Sequence, residues 1–243
     1  MCLDNFCVAN IKENYFFFSF VNACHYRLLL LIILILLSAK VTQWLLKHIP
    51  VKYLRKDKIS IIYKKLLLLY LPIIFLNILL NNELIIIILF TFFFNITICL
   101  FIIDLKTGYL PDILVYLLLW GGLIYQSCIA QGNVVSAVYA VVISYLSIML
   151  ITALMEKVRR RPQMGRGDFK LIAACAAWLG MMDLPYFLAL AAMFGMIHHG
   201  FIYYVKRRTE TLNTIPFGPA IVLSASYWLV APLLNVFTLK MAS

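Results

Sequence analysis

The runs LLLLIILILL (residues 28–37) and ELIIIILFTFFF (residues 83–94) decide the architecture. Neither alternates polar with apolar residues, as a membrane-barrel strand must over segments of roughly ten residues. In hydrocarbon every backbone N–H and C=O needs a partner, which only helices and closed barrels supply. Unbroken apolar runs therefore predict helices. The composition agrees: 64% of the 243 residues are hydrophobic, 13% are charged, and the mean hydropathy is +0.96. A soluble domain carries about a quarter charged residues, so that class is excluded. The sequence predicts an all-α, polytopic transmembrane helical bundle.

Eight apolar segments can be marked, at 28–46, 66–80, 84–103, 113–130, 134–155, 169–182, 184–205 and 217–238. Several fall short of the ~20 residues a full crossing needs, so about six to eight spans are expected. Two parts are expected: residues 1–65, with the first span and a basic loop, and residues 66–243, embedded in the membrane. Residues 1–14 mix polar and apolar types, and no small-residue cleavage site follows the apolar run; no standard secretory signal is expected. The six cysteines (Cys2, Cys7, Cys24, Cys99, Cys128, Cys175) form no CxxC pair. Three of them lie in apolar segments, so neither a disulfide framework nor a metal site is expected.

The basic residues set the orientation. They gather in KHIPVKYLRKDKISIIYKK (47–65), EKVRRRPQMGRGDFK (156–170) and KRR (206–208). The intervening loops NNE (81–83), QGN (131–133) and MMD (181–183) carry no Lys or Arg. The positive-inside rule places the three basic blocks in the cytoplasm. The net charge of +11 is then a topology signal and calls for no nucleic-acid partner. The partner it implies is the lipid bilayer itself, with attraction to anionic lipid.

That topology delivers DLKTGYLPD (104–112) and the start of MGRGDFKLIAACAAWLG (164–180) to one membrane surface. Of ten acidic residues, Asp104, Asp112 and Asp168 stand at span ends on that face. Two carboxylates held close cannot both ionise easily, so the pair keeps one proton. The charged member can take a proton from water while the protonated member donates to a carbonyl oxygen. Peptide hydrolysis by this route uses no metal and no cofactor. Gly165 and Gly167 let the backbone turn sharply and approach a substrate strand. The helix start after them favours a charged Asp168, and Lys170 adds a positive field. Each aspartate also has a plainer reading. Asp168 and Asp112 suit helix caps, and Asp104 suits a solvated loop. Residue spacing alone does not bring Asp104 and Asp168 together.

Three ordered blocks resemble the type IV prepilin peptidase family. GRGDFKLIAACAAWLG (165–180) looks like its GxGD signature. DLKTGYLPDILVYLLLWGGLIY (104–125) is similar to its first aspartate block. IPFGPAIVLSA (215–225) resembles its Pro-Phe-Gly-Pro element. The resemblance implies an aspartic endopeptidase with Asp104 and Asp168 as the catalytic pair. Asp112, Gly165, Gly167, Lys170, Pro216 and Gly218 are assigned supporting or substrate-binding roles. It further implies a multi-pass protein of the bacterial inner membrane, with its site facing the cytoplasm. Its partners would be prepilins or pseudopilins, whose basic leader it cleaves, and a pilus assembly or secretion machinery.

The N-terminal region departs from the family pattern. FSFVNACHYRL (18–28) is a degraded echo of the usual Gly-Ser-Phe-Leu-Asn-Val and Tyr-Arg element, and the paired cysteines are absent between residues 29 and 98. Many members also methylate the new N-terminus, with S-adenosylmethionine as the cofactor that this second activity implies. HH at 198–199 places two rings on different helix faces, which does not suit a shared metal. Trp120, Trp178 and Trp228 read as packing or interface residues. The alternative function is a transporter or channel subunit; its mark would be ionisable residues near mid-span, whereas here they sit at span ends.

Overall fold

The computed structural model describes residues 3–54, 59, 61–80, 83–128, 133–160, 164–205 and 217–242, with side chains of the first helix described from Tyr26 onward. Among these residues the elements are α1 (Leu3–Leu54), α2 (Tyr63–Leu80), α3 (Leu84–Thr107), α4 (Asp112–Cys128), α5 (Val134–Arg159), α6 (Arg166–Leu179), α7 (Leu184–Val205) and α8 (Gly218–Ala242). The chain is an all-α bundle, and each helix takes in one of the apolar segments of the sequence. Five stretches are long and apolar enough to cross a membrane: Tyr26–Tyr53, Tyr63–Leu80, Leu84–Thr107, Val134–Val158 and Leu184–Phe201. Asp112–Cys128 and Gly218–Pro232 are shorter apolar helices. The protein is a multi-pass membrane protein.

Two helix limits differ from the sequence expectation. α1 runs through Pro50, which stands near its end, where few backbone bonds remain to be lost. α3 continues past residue 103 to Thr107, so Asp104 lies within its last turn and not in a loop after it. The reason is local. The Thr107 hydroxyl donates to the Ile103 carbonyl at 2.8 Å. Gly108, at φ 66°, then turns the chain left-handed and donates its N–H to the Asp104 carbonyl at 2.8 Å. Glycine adopts that conformation without the cost other residues meet, and it is the usual residue just past a helix end.

α6 is the centre of the bundle. At 14 residues it spans about 21 Å, too short to cross the ~30 Å hydrocarbon core alone. Its Ala173, Ala174, Ala176 and Ala177 are buried and let α4, α5 and α8 approach closely. Small residues are how helices associate in lipid, where no hydrophobic force drives them together. At its far end Trp178 is buried, donates its indole N–H to the Leu118 carbonyl at 2.8 Å, and stacks on Tyr125. Gly122 makes room for it: a β-carbon there would stand 2.7 Å from the indole and 2.9 Å from the Ala177 backbone. Gln126 donates to the Trp178 carbonyl at 2.7 Å and closes that end of the α4–α6 seam. Trp178 is thus a packing residue, while Trp120 faces outward.

A second seam joins α1 and α2 to α3. Leu34, Ile35 and Ala39 of α1 pack with Tyr70 and Ile74 of α2. Buried among them, the Asn95 amide of α3 donates to the Ser38 hydroxyl at 3.1 Å and accepts from Thr42 and Tyr70 at 3.1 and 3.0 Å. Polar groups in hydrocarbon need partners, and here three helices supply them to one another.

Candidate active site

Asp104 sits in the last turn of α3 and is 3% exposed. Its Oδ2 accepts the backbone N–H of Gly218, at the first turn of α8, at 3.0 Å. A side chain at residue 218 would meet that oxygen at 2.5 Å, so glycine is needed for the contact. The solvated-loop reading of Asp104 is therefore corrected: the helix carries on one turn further and buries it.

Asp168 stands in the first turn of α6, 9% exposed. It is not the N-cap. That place belongs to Gly165, which is extended at φ −67° and ψ 138° and has no side chain to offer. The Asp168 N–H reaches the Gly165 carbonyl at 3.0 Å, and its carboxylate takes the Gly165 N–H in return. This is the reciprocal half of a capping box, with the acid three residues inside the helix. Gly167 faces Leu110 of the α3–α4 connection; a β-carbon there would stand 3.1 Å from the Leu110 β-carbon. The two glycines of GRGD thus serve close approach of this helix start to its neighbours.

The two carboxylates are near enough for the Asp104 charge to act on Asp168. Burial pushes Asp168 up to about 7, the Asp104 charge pushes in the same direction, and the Gly165 N–H pulls the other way. The expected preference for a charged Asp168 at a helix start is overruled, because loss of water outweighs the dipole at this depth. A proton held on Asp168 beside Asp104 is the state in which one acid can donate while the other accepts.

The other expected residues divide. Lys170 does not face Asp168. Its Nζ pairs with Asp112 Oδ2 at 2.7 Å, and both groups are partly exposed. The pair locks the start of α4 to the start of α6 and leaves the carboxylate pair without a cation from Lys170. Gly218 lies at the site, and Pro216 lies outside the described residues. On α7, His198 is half-buried and His199 exposed, as adjacent helical positions must differ. Sequence reading took Gly108 as a sign that Asp104 lies in a loop and passed over Thr107, whereas the two together fix the end of α3. The signal was present as Lys-Thr-Gly after an apolar run, a helix-stop pattern.

Residues 89–199 match the type IV leader peptidase family. That likeness covers less than half of the chain. The matched segment contains Asp104, Asp112, Gly165, Gly167, Asp168 and Lys170, whereas Gly218 lies beyond it. The prepilin leader peptidase/N-methyltransferase of Dickeya chrysanthemi is 34% identical over 142 residues, covering 58% of this chain and 50% of that protein. That of Escherichia coli (strain K12) is 35% identical over 133 residues, covering 55% and 58%. That of Legionella pneumophila is 38% identical over 136 residues, covering 55% and 47%. The chain spans about half the length of the curated relatives it matches. No solved structure matches it.

Proposed function

We propose that this chain is a membrane aspartic endopeptidase that removes the basic leader from type IV prepilins or pseudopilins. The buried Asp104–Asp168 pair carries the reading. In the resting state the pair holds one shared proton. A water between them loses a proton to the charged carboxylate and attacks the substrate carbonyl carbon. The protonated carboxyl donates to the carbonyl oxygen, and a tetrahedral diol forms. Collapse of the diol returns one hydroxyl proton to the carboxylate that is then charged and breaks the C–N bond, while the leaving amine takes a proton from the other carboxyl. The pair ends with the single proton it began with. Burial strengthens each of these electrostatic contacts.

In this reading the protein lies in the bacterial inner membrane with the pair at the cytoplasmic face. Residues 66–243 form the peptidase part, residues 1–65 a divergent N-terminal region, and a pilus assembly or secretion machinery receives the product. Asp112 and Lys170 support the site by holding α4 against α6. A transporter reading is disfavoured, since Asp104 and Asp168 lie in a last and a first helical turn, not at mid-helix.

The relatives' names include N-methyltransferase, which points to S-adenosylmethionine as a methyl source. Neither of two cavities among the described residues fits that group. A cavity of about 370 Å³ between α4, α5 and α6 is lined by aliphatic residues, Tyr116, Tyr145 and Lys170. One of about 270 Å³ beside α2, α3 and α8 has Asn77, Ser226 and Tyr227 among apolar residues. Neither offers an acid for the ribose hydroxyls or the ammonium group, and proteolysis proceeds without them.

The test is leader removal. Co-expressed with a prepilin, the wild type yields the shorter product on a gel. Asp104→Asn and Asp168→Asn each slow cleavage on the order of 10³-fold or more. Uncut prepilin with the wild type, or full cutting by either variant, refutes the proposal.

A further inference from the structure

We propose that Gly195 and Phe217 are positioning residues of the proteolytic site, holding the Gly218 amide on Asp104. The inference rests on the endopeptidase reading above. It starts from how α8 begins. The Phe217 carbonyl accepts from the N–H groups of Ala220 and Ile221 at 3.0 and 3.3 Å, so Phe217 occupies the cap position. Phenylalanine has no side-chain acceptor for the unpaired N–H groups of a first turn, unlike the usual Ser, Thr, Asp or Asn. Pro219 has no N–H at all. Gly218 is thus the donor left at this helix start, and it is aimed at a carboxylate 114 residues away.

What fixes the direction of that amide is the Phe217 ring. The ring is half-buried and packs onto the core. It rests on α7 where Gly195 has no side chain, and a methyl at residue 195 would collide with the ring edge. Further along the same helix, nothing lies within 4 Å of the position a Gly200 β-carbon would take. Deeper in the bundle the Ser224 hydroxyl donates to the Phe187 carbonyl at 2.8 Å and ties α8 to α7. The ring therefore sets where the first turn of α8 lies between these anchors, and the next residue carries the amide. A shifted ring carries the amide off Oδ2, and Asp104 then loses the bond that orients it.

The experiment uses the full chain in lipid nanodiscs with a purified prepilin. Rates are measured for wild type, Gly195→Ala, Phe217→Ala, the double variant and Gly200→Ala, with melting curves to confirm folding. Each single change at 195 or 217 is expected to lower kcat on the order of 10–100-fold, with KM within about twofold of wild type. The double variant is expected to be no slower than the slower single, because both act through one amide. Gly200→Ala should match wild type. Wild-type rates in both singles, losses that multiply in the double, or a change confined to KM overturns the proposal. Should Gly195→Ala fail to fold, the series Phe217→Leu, Phe217→Val and Phe217→Ala decides. There kcat must fall with side-chain size at constant KM, and a flat series overturns it. If wild type itself leaves the prepilin uncut, the endopeptidase reading falls; if wild type cuts and the variants cut equally, only the positioning role does.

Discussion

Burial governs what Asp168 can do. At a helix start an aspartate is ordinarily stabilised as the anion, yet here loss of water pushes it up to about 7. Between the ordinary aspartate value of ~3.9 and 7 the folded chain holds a proton that the unfolded chain has released. Its contribution to stability is therefore most favourable below ~4, declines as pH rises towards 7, and is level above that. Melting midpoints of the wild type and Asp168→Asn, compared in detergent from pH 4 to 8, test the sign. The wild type should lose ground to the variant up to about pH 7 and then hold a constant gap. A wild type that gains on the variant over this range sinks the argument. The same proton bears on catalysis, since kcat/KM reports the free enzyme and must fall on the alkaline side as the pair gives it up. The candidate acids were legible as the only ones at span ends on one face. Their pairing was not, because Asp104 and Asp168 are 64 positions apart in sequence, 168 minus 104. The partner of Lys170 was equally hidden, since nothing local distinguishes Asp112 from Asp168 as its target.

Helices came through from the sequence wherever an apolar run was long, as in α3 and α5, since lipid admits few other structures. Their ends came through less well. Asp104 and Lys106 look like solvent-facing loop residues, yet Thr107 and Gly108 carry the helix beyond them and bury Asp104. A charge at the end of an apolar run marks a boundary only when it faces water. The packing of α6 turns on the Gly121-Gly122 pair in α4, which is the seat of Trp178. Gly122→Ala would place a methyl against both the indole and the rigid Ala177 backbone, so no single side-chain rotation relieves it. Overpacking of this kind costs about 1–3 kcal/mol, more than alanine's better helix propensity returns. A lowered melting midpoint in detergent is expected. A midpoint equal to or above wild type would show that α4 and α6 separate freely, and that their seam does not hold α6 at the centre.

Across the molecule, charge and connectivity agree on one polarity. Bonds at both ends of the bundle show which helix termini meet. At one end lie the Gly218–Asp104 and Lys170–Asp112 contacts, joining the starts of α8, α6 and α4 to the end of α3. At the other, Gln126 reaches the Trp178 carbonyl and the Met181 N–H reaches the Ser136 hydroxyl, joining the ends of α4 and α6 to the start of α5. The first end takes the termini that flank Lys106, Lys157, Arg160 and Arg166, whereas Glu83, Asn133 and residues 180–183 at the second include no Lys or Arg. Because basic residues near span ends resist translocation, the end with the carboxylate pair should face the cytoplasm. A fluorescent-protein reporter inserted in residues 156–165 should therefore glow, and alkaline phosphatase inserted there should stay inactive. Inserted at residues 181–183, the two reporters should exchange behaviour. An active phosphatase at 156–165 would put Asp104 and Asp168 on the external surface, away from any substrate still in the cytoplasm. The proposed cleavage would then fail on topology, whatever the geometry of the pair.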